Sequence, residues 1–227
     1  MLLTEAGMGE YWDDIEREAM HRLFPGLDER VLAMLKGGFE CAARPNDLLT
    51  WKGAEGCCIG GGLRALYLTW RSALSETADE TRVHSGVSRR TAHTQVTAHE
   101  PRQGRIKVEV LTPRQVAIRL PAYAHLEDSS AWVDGKPLSP QWEKGYTLFP
   151  ALKPGQKIAL RYPLPQRRQT YTIAGHEYTA DWLGNVLIEI SPPGNHHPIY
   201  RRRPQLEAPL VDTGAIWRGA TAASILW

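Results

Sequence analysis

Hydrophobic positions recur at helical spacing through the first 80 residues of the chain and at strand spacing beyond residue 82. Trp12, Ile15, Ala19 and Leu23 fall three or four residues apart, with Asp13, Asp14, Glu16 and Arg17 largely off that stripe. The pattern predicts an amphipathic helix whose charged side faces water. Phe24-Pro25-Gly26 ends it, because proline disfavours helix before it and glycine permits the reversal. Asp28 to Leu35 predicts one or two more turns before Gly37-Gly38, and Phe39 to Gly56 reads as irregular, with a turn at Pro45-Asn46-Asp47. Leu63, Tyr67, Trp70 and Leu74 mark a second apolar stripe, predicting a helix to about Ala73 and a polar linker over Ser75 to Thr81. Two helices cannot bury their own apolar faces, so residues 1–80 read as the end of a larger helical unit or as a layer packed on the later part of the chain.

After residue 82 the period becomes two. Ile106, Val108 and Val110 alternate with Lys107 and Glu109, and Val116, Ile118 and Leu120 alternate with Ala117 and Arg119, as in half-buried strands. Ala131-Trp132-Val133 runs into Asp134-Gly135-Lys136, a hairpin signal. Further strands are predicted at Tyr146 to Phe149, Ile158 to Tyr162, Tyr171 to Ile173 and Val186 to Ile190. Turns at Lys153-Pro154-Gly155-Gln156, Ala174-Gly175-His176 and Leu183-Gly184-Asn185 separate them. Seven or eight short strands of this kind predict an antiparallel sandwich, with a last strand at Ala223 to Trp227. The expected division is 1–80 helical and 81–227 β-sandwich.

The densest chemistry lies at Gly56-Cys57-Cys58-Ile59-Gly60-Gly61-Gly62, read as a turn feeding the second helix. It places both sulfurs at a helix N-terminus, where free N–H groups and the macrodipole favour thiolate. A thiolate is what a zinc ligand or a sulfur nucleophile requires, although buried cysteine is also a common packing residue. Cys41 adds a third sulfur, which a four-ligand zinc site could recruit although no standard spacing is present. His196-His197, on a turn, and His84, His93 and His99, at the approach to the sandwich, read as loop and edge positions. Asp13, Asp14 and Glu16 read as a solvated face.

Three cysteines, two of them adjacent, do not form a disulfide framework and fit a reducing compartment. A net charge of +2 argues against a dedicated nucleic-acid surface, and Arg201-Arg202-Arg203 beside Pro204 reads as a solvated loop. No apolar run approaches the roughly 20 residues of a bilayer span, and Met1 to Glu5 lacks a secretory pattern. The expectations are therefore no nucleic acid, no membrane and a cytoplasmic location. Eight Trp and eight Tyr suit sugar stacking, interfaces and β-cores alike.

The order of these pieces is more specific than any one of them. Glu5 to Asp14, Gly37-Gly38-Phe39, Pro45-Asn46-Asp47 and Gly56-Cys57-Cys58 with Arg64-Ala65-Leu66-Tyr67 resemble the β-L-arabinofuranosidase-like glycoside hydrolases, family 127. Val116 to Ala124, Val133 to Lys136, Gly145-Tyr146, Leu152 to Gln156, Tyr171-Thr172-Ile173 and Tyr178-Thr179 resemble that family's β-domain. The resemblance implies the last helices of an (α/α) barrel followed by an antiparallel β-sandwich. In that family a zinc ion is held by one Glu and three Cys, a Cys of the adjacent pair is the nucleophile of a retaining mechanism, and a separate Glu is the acid/base. Carried over, Cys57 would be nucleophile and zinc ligand and Cys58 a zinc ligand. The remaining ligands and the acid/base Glu fall upstream of Met1 in the family's pattern, and Glu40-Cys41 does not take their place. Gly60-Gly61-Gly62 departs from the family's usual Gly-Asn-Gly or Ala-Asn. The chain is thus expected to be the C-terminal part of such an enzyme, inactive alone and completed by a polypeptide carrying the rest of the barrel. Two other classes fit the residues: a carbohydrate-binding module stacking sugars on Trp132, Trp142, Tyr146 or Trp182, and a thiol-based metal or redox protein.

Overall fold

The structure, a computed structural model, describes residues 2–23, 43–44, 47–48, 56–195, 200, 203 and 206. The stop at Phe24-Pro25-Gly26, the turns over Asp28 to Leu35, Cys41, His196-His197 and the last strand at Ala223 to Trp227 lie outside these residues. Described helices are α1 (Leu2–Glu5), α2 (Trp12–Glu18), which continues into a π-helical turn over Ala19–Leu23, and α3 (Gly56–Ser72). The predicted turn after residue 44 is bracketed by the two-residue strands β1 (Ala43–Arg44) and β2 (Asp47–Leu48).

The remaining described chain is β-structure. One sheet runs in the order β10 (Lys136–Leu138), β9 (Ser130–Val133), β13 (Lys157–Arg161), β7 (Arg105–Val110), β6 (Thr94–Ala98) and β5 (Arg89–Arg90). The facing sheet runs β11 (Gln141–Glu143), β12 (Tyr146–Leu152), β8 (Arg114–Arg119), β4 (Glu80–Val83) and β3 (Leu74–Glu76). Val96, Ile106, Val108, Val110, Ile158 and Leu160 from the first meet Leu74, Val83, Val116, Ile118, Phe149 and Leu152 from the second in one buried core. The alternation predicted for Ile106, Val108 and Val110 therefore faces this core. Asp134 and Gly135 take φ of 50° and 76°, the left-handed pair that a tight two-residue hairpin needs.

Three expectations are corrected. Ser75 to Thr81 is not a linker: β3 and β4 pair as a hairpin on the sheet edge. Strands of three and four residues carry too few apolar positions to show a period, yet Leu74, Thr81 and Val83 are buried. The sandwich is not wholly antiparallel, since β4 pairs parallel with β8. Residues after 165 do not extend it: β14 (Gln166–Ile173), β15 (His176–Leu183) and β16 (Val186–Ser191) form a separate three-stranded sheet. That sheet has its own small core of Ala180, Leu187 and Ile190 under Tyr171, Tyr178, Trp182 and Tyr200.

The outer face of β8 is also covered. Ala117 and Arg119 point away from the sandwich core, on the opposite side of the pleat from Val116 and Ile118, yet both are buried. Asp13 and Glu16 of the α2 segment meet Arg119, so the outward polar position became an interior one.

Candidate functional site

Helix α3 begins at Gly56 and runs unbroken to Ser72, so Gly60-Gly61-Gly62 is helix interior and not the turn that the sequence suggested. Glycine adopts right-handed helix without strain, at a cost of about 1 kcal/mol each relative to alanine. The backbones of Cys57 and Cys58 consequently sit in the first helical turn, among N–H groups with no intrahelical partner. Among the described residues, a Cβ built on Gly60 or Gly61 would meet nothing within 4 Å, one turn from the cysteines.

The other end of α3 is bolted to the sandwich. Arg89 donates from Nη1 to the carbonyls of Trp70 (3.3 Å) and Arg71 (2.5 Å). Its guanidinium lies 4.4 Å from the Trp70 ring centroid. A cation on the last free carbonyls of a helix is favoured by the macrodipole. Ala73 then passes the chain into the sheet, its carbonyl accepting from the His84 N–H at 2.8 Å. At 1.5 Å per residue, this arrangement holds the cysteine turn about 20 Å from the anchored end. Leu63 and Tyr67, on the predicted apolar stripe, are exposed.

A second cluster joins the α2 segment to both β units, and sequence reasoning missed it. Arg119 Nη1 meets Asp13 Oδ1 at 2.5 Å, its Nη2 lies 3.3 Å from Glu16 Oε2, and its Nε donates to the His84 carbonyl. Asp13 also accepts from the Ala122 N–H at 3.0 Å, and Glu16 from the Gly86 N–H at 3.0 Å and Asn185 Nδ2 at 3.3 Å. Asp13 and Glu16 are thus not a solvated face; Asp14 is, paired with Arg17 on its own helix. Trp12 stacks on His84 with ring centroids 4.5 Å apart and planes 7° apart. His84 bridges Ser75 Oγ (2.7 Å, through Nε2) and the Tyr146 hydroxyl (2.6 Å, through Nδ1). Burial, with Arg119 and Arg82 nearby, pushes His84 down to about 4. Further along, His21 Nε2 accepts from the Leu187 N–H at 2.8 Å, which ties the π-helical turn to the small sheet.

Glu100 lies beside this cluster, accepting hydrogen bonds from the hydroxyls of Tyr123 (2.8 Å) and Tyr162. Burial, with the Glu16 carboxylate adding repulsion, pushes it up to about 7. Glu16 is raised too, its burial outweighing the attraction of Arg119. The groups are mutually satisfied, and their chemistry is that of a clamp. The i, i+3 spacing of Asp13 and Glu16 beside Trp12 was the available signal, but its partner Arg119 is over 100 residues away.

The proposed stacking residues are mostly engaged. Tyr146 is buried, Trp132 carries the Arg161 guanidinium 4.7 Å from its centroid, Trp182 packs edge-on with His21, and Trp142 packs on the sandwich core. His93 bonds Thr112 Oγ1 at 2.9 Å and His99 faces Arg105. Arg203 pairs with Asp181 and Glu189. Among the described residues no three His, Cys, Asp or Glu side chains converge as a metal site, and no helix is long and apolar enough to cross a membrane.

No family model and no curated protein matches the sequence. Solved structures do match. Ara127N-Se, a GH127 β-L-arabinofuranosidase from Geobacillus stearothermophilus T6, superposes with TM-score 0.55 at 16% identity over 78% of this chain and 32% of its own. The GH127 β-arabinofuranosidase BT3674 gives 0.55 at 14% identity, and a glycoside hydrolase gives 0.54 at 15%, each over 78% of this chain and 33% of the other. The chain shares its fold with part of a GH127 enzyme. The resemblance read from the sequence holds for this fold, and the chain spans about a third of the length of its GH127 neighbours.

Proposed function

We propose that the chain is part of a zinc-thiolate retaining glycoside hydrolase acting on arabinofuranosides or related glycosides, and that it is inactive alone. The observation that carries this reading is the GH127-like fold over 78% of the chain, with Cys57 and Cys58 in the first turn of a helix whose Gly60 and Gly61 meet no neighbour among the described residues. In this reading α2 and α3 are the closing helices of an (α/α) barrel, and the β-units are its C-terminal modules. The donor set fits half of a thiolate-rich tetrahedral zinc shell: two adjacent cysteines at a helix N-terminus, where ionised sulfur is favoured. Cys57 and Cys58 would hold the ion, which when bound keeps both sulfurs ionised at neutral pH.

Cys57 Sγ then attacks the anomeric carbon as the glycosidic C–O bond breaks, and the departing oxygen takes a proton from a general acid. Water, giving a proton to the conjugate base of that acid, then displaces the thiolate from the face opposite the sulfur, the one the departing oxygen left, so two inversions retain configuration. The general acid and the remaining ligands come from outside this chain, supplied by a polypeptide with the rest of the barrel. Free thiolates at the site fit a reducing, cytoplasmic location.

The test is hydrolysis of a chromogenic β-L-arabinofuranoside by this chain, alone and co-expressed with the part of a GH127 enzyme that it does not cover. Turnover is expected only from the pair, and Cys57→Ser abolishes it. Turnover by the chain alone, lost in Cys57→Ser, would overturn the need for a partner; no turnover from a properly assembled pair would overturn the activity.

A further inference from the structure

The outer face of the six-stranded sheet sets two like charges directly against each other. Ile106, Val108, Ile158 and Leu160 point into the core, so Arg105, Lys107, Lys157 and Arg161 point out. Arg105 and Arg161 are direct partners in the register of β7 and β13. The Tyr162 N–H donates to the Gly104 carbonyl, which makes the adjacent pair the bonded one. Arg105 and Arg161 therefore form a pair without ladder hydrogen bonds, the kind whose side chains stand closest. Like charges so placed are destabilising, and local rules broken in this way concentrate at functional sites.

Among the described residues no carboxylate pairs with either arginine, and the Nε of Arg105 is buried without a partner. The outward positions of β6, β7, β9 and β13 hold one carboxylate, Glu109, and it lies opposite Gln95 and Lys157. Arg105 Nη2 donates toward the His99 ring, 3.3 Å from Nδ1. Burial and then the Arg161 charge lower Arg105, and burial and then Arg105 and Lys107 lower His99. The exposed Arg161 has its guanidinium 4.7 Å from the Trp132 ring centroid, with Ser130 as its cross-strand neighbour on β9. A guanidinium laid on a ring is a fixed fork, and its paired N–H groups match the two oxygens of a carboxylate.

We propose that Arg105 and Arg161 form an anion subsite for an acidic sugar, whose carboxylate binds the two guanidiniums with Ser130 and Trp132 flanking it. The anion follows from the arginines alone: a carboxylate between them replaces a repulsion by two attractions. The sugar rests on the glycoside hydrolase reading above, because a glycan bearing both furanosyl groups and uronates gives the sheet and the cysteine turn different parts of one substrate. A single-stranded nucleic acid needs rings free for base stacking, and the Trp132 ring on this face is taken by Arg161. The subsite is carried by β7, β9 and β13, so it is distinct from the first turn of α3.

Isothermal titration of the whole chain with trigalacturonate tests this, with its methyl ester as the uncharged control and the Trp132 indole N–H resonance as a second readout. The acid is expected to bind about tenfold more tightly than the ester, the worth of one charge-assisted hydrogen bond, and to move the indole resonance. Arg105→Gln and Arg161→Gln are each expected to weaken the acid about tenfold with unchanged circular dichroism. Arg161→Lys, which keeps the charge and loses the fork, is expected to fall between wild type and Arg161→Gln. Equal binding of acid and ester, or undiminished binding of the acid by folded Arg161→Gln, would overturn the subsite. Tighter binding of inorganic phosphate or of single-stranded DNA than of trigalacturonate would overturn its assignment to a sugar. Hydrolysis does not enter these measurements, so failure of the subsite and failure of the proposed activity are read separately.

Discussion

The α2 clamp brings together two groups whose titrations act on stability in opposite directions. Glu100 rises from 4.5 to about 7, so between those values the unfolded chain releases a proton that the folded chain keeps. The stability this contributes is full below pH 4.5 and is lost as pH rises through 7. His84 falls from 6.5 to about 4, so its contribution is full above pH 6.5 and is lost as pH falls through 4. Each tenfold change in proton affinity is worth about 1.4 kcal/mol. Across the shared window from pH 4.5 to 6.5, each group therefore changes stability by about 2 kcal/mol, with opposite signs. In the wild type the two slopes largely cancel. Glu100→Gln keeps a neutral partner for Tyr123 and Tyr162 and removes one slope. Its stability relative to wild type is expected to rise by about 2 kcal/mol from pH 4.5 to 6.5. His84→Gln is expected to fall by a similar amount over the same window. Glu16 is common to the wild type and His84→Gln and drops out of that difference; in Glu100→Gln it also loses the repulsion of the Glu100 carboxylate. Urea unfolding followed by tryptophan fluorescence at a series of pH values measures both differences. Profiles that run parallel for the wild type and both variants would refute the assignment of these protons.

Arg119→Met leaves Asp13 and Glu16 enclosed without their cation and is expected to cost about 3–5 kcal/mol, most of it recovered when Asp13→Asn and Glu16→Gln are added; urea midpoints measure both. Gly104→Ala places a Cβ 2.1 Å from the Tyr162 carbonyl oxygen and is expected to cost about 1–3 kcal/mol by overcrowding, read as a lowered melting temperature. Arg89→Ala removes the cap and the ring contact at the end of α3, for about 1 kcal/mol, seen as faster hydrogen exchange in its last turn. The chain assembled with the rest of the barrel is expected to hold one zinc per complex and to lose it in Cys58→Ser, measured by elemental analysis.

Legibility in the sequence followed locality. Ile106, Val108 and Val110 announced a strand because alternation is a property of neighbours, and Asp134-Gly135 announced its turn for the same reason. Cys57 and Cys58 were expected beside a helix start, and their backbones lie in the first turn of α3, but the turn expected over Gly56 to Gly62 is itself helix. What escaped depends on partners distant in the chain. Asp13 and Glu16 look solvent-facing unless Arg119 is known to lie above them. Arg119 likewise looks like the outward residue of an alternating strand unless α2 covers it. The hairpin at Leu74 to Val83 was too short and polar to show a period. The separation of β14–β16 from the sandwich is set by packing between sheets, which no strand records in its own residues.

The anchoring of α3 makes it a cantilever. If the thiols at its tip are reactive, a pivot of about 5° at the Trp70–Arg89 joint would swing them through about 2 Å over an arm of about 20 Å. Errors of about 1 Å at a reacting atom cost rates on the order of a hundredfold. Substitutions at Arg89 would then be felt first as lost turnover and only second as lost stability.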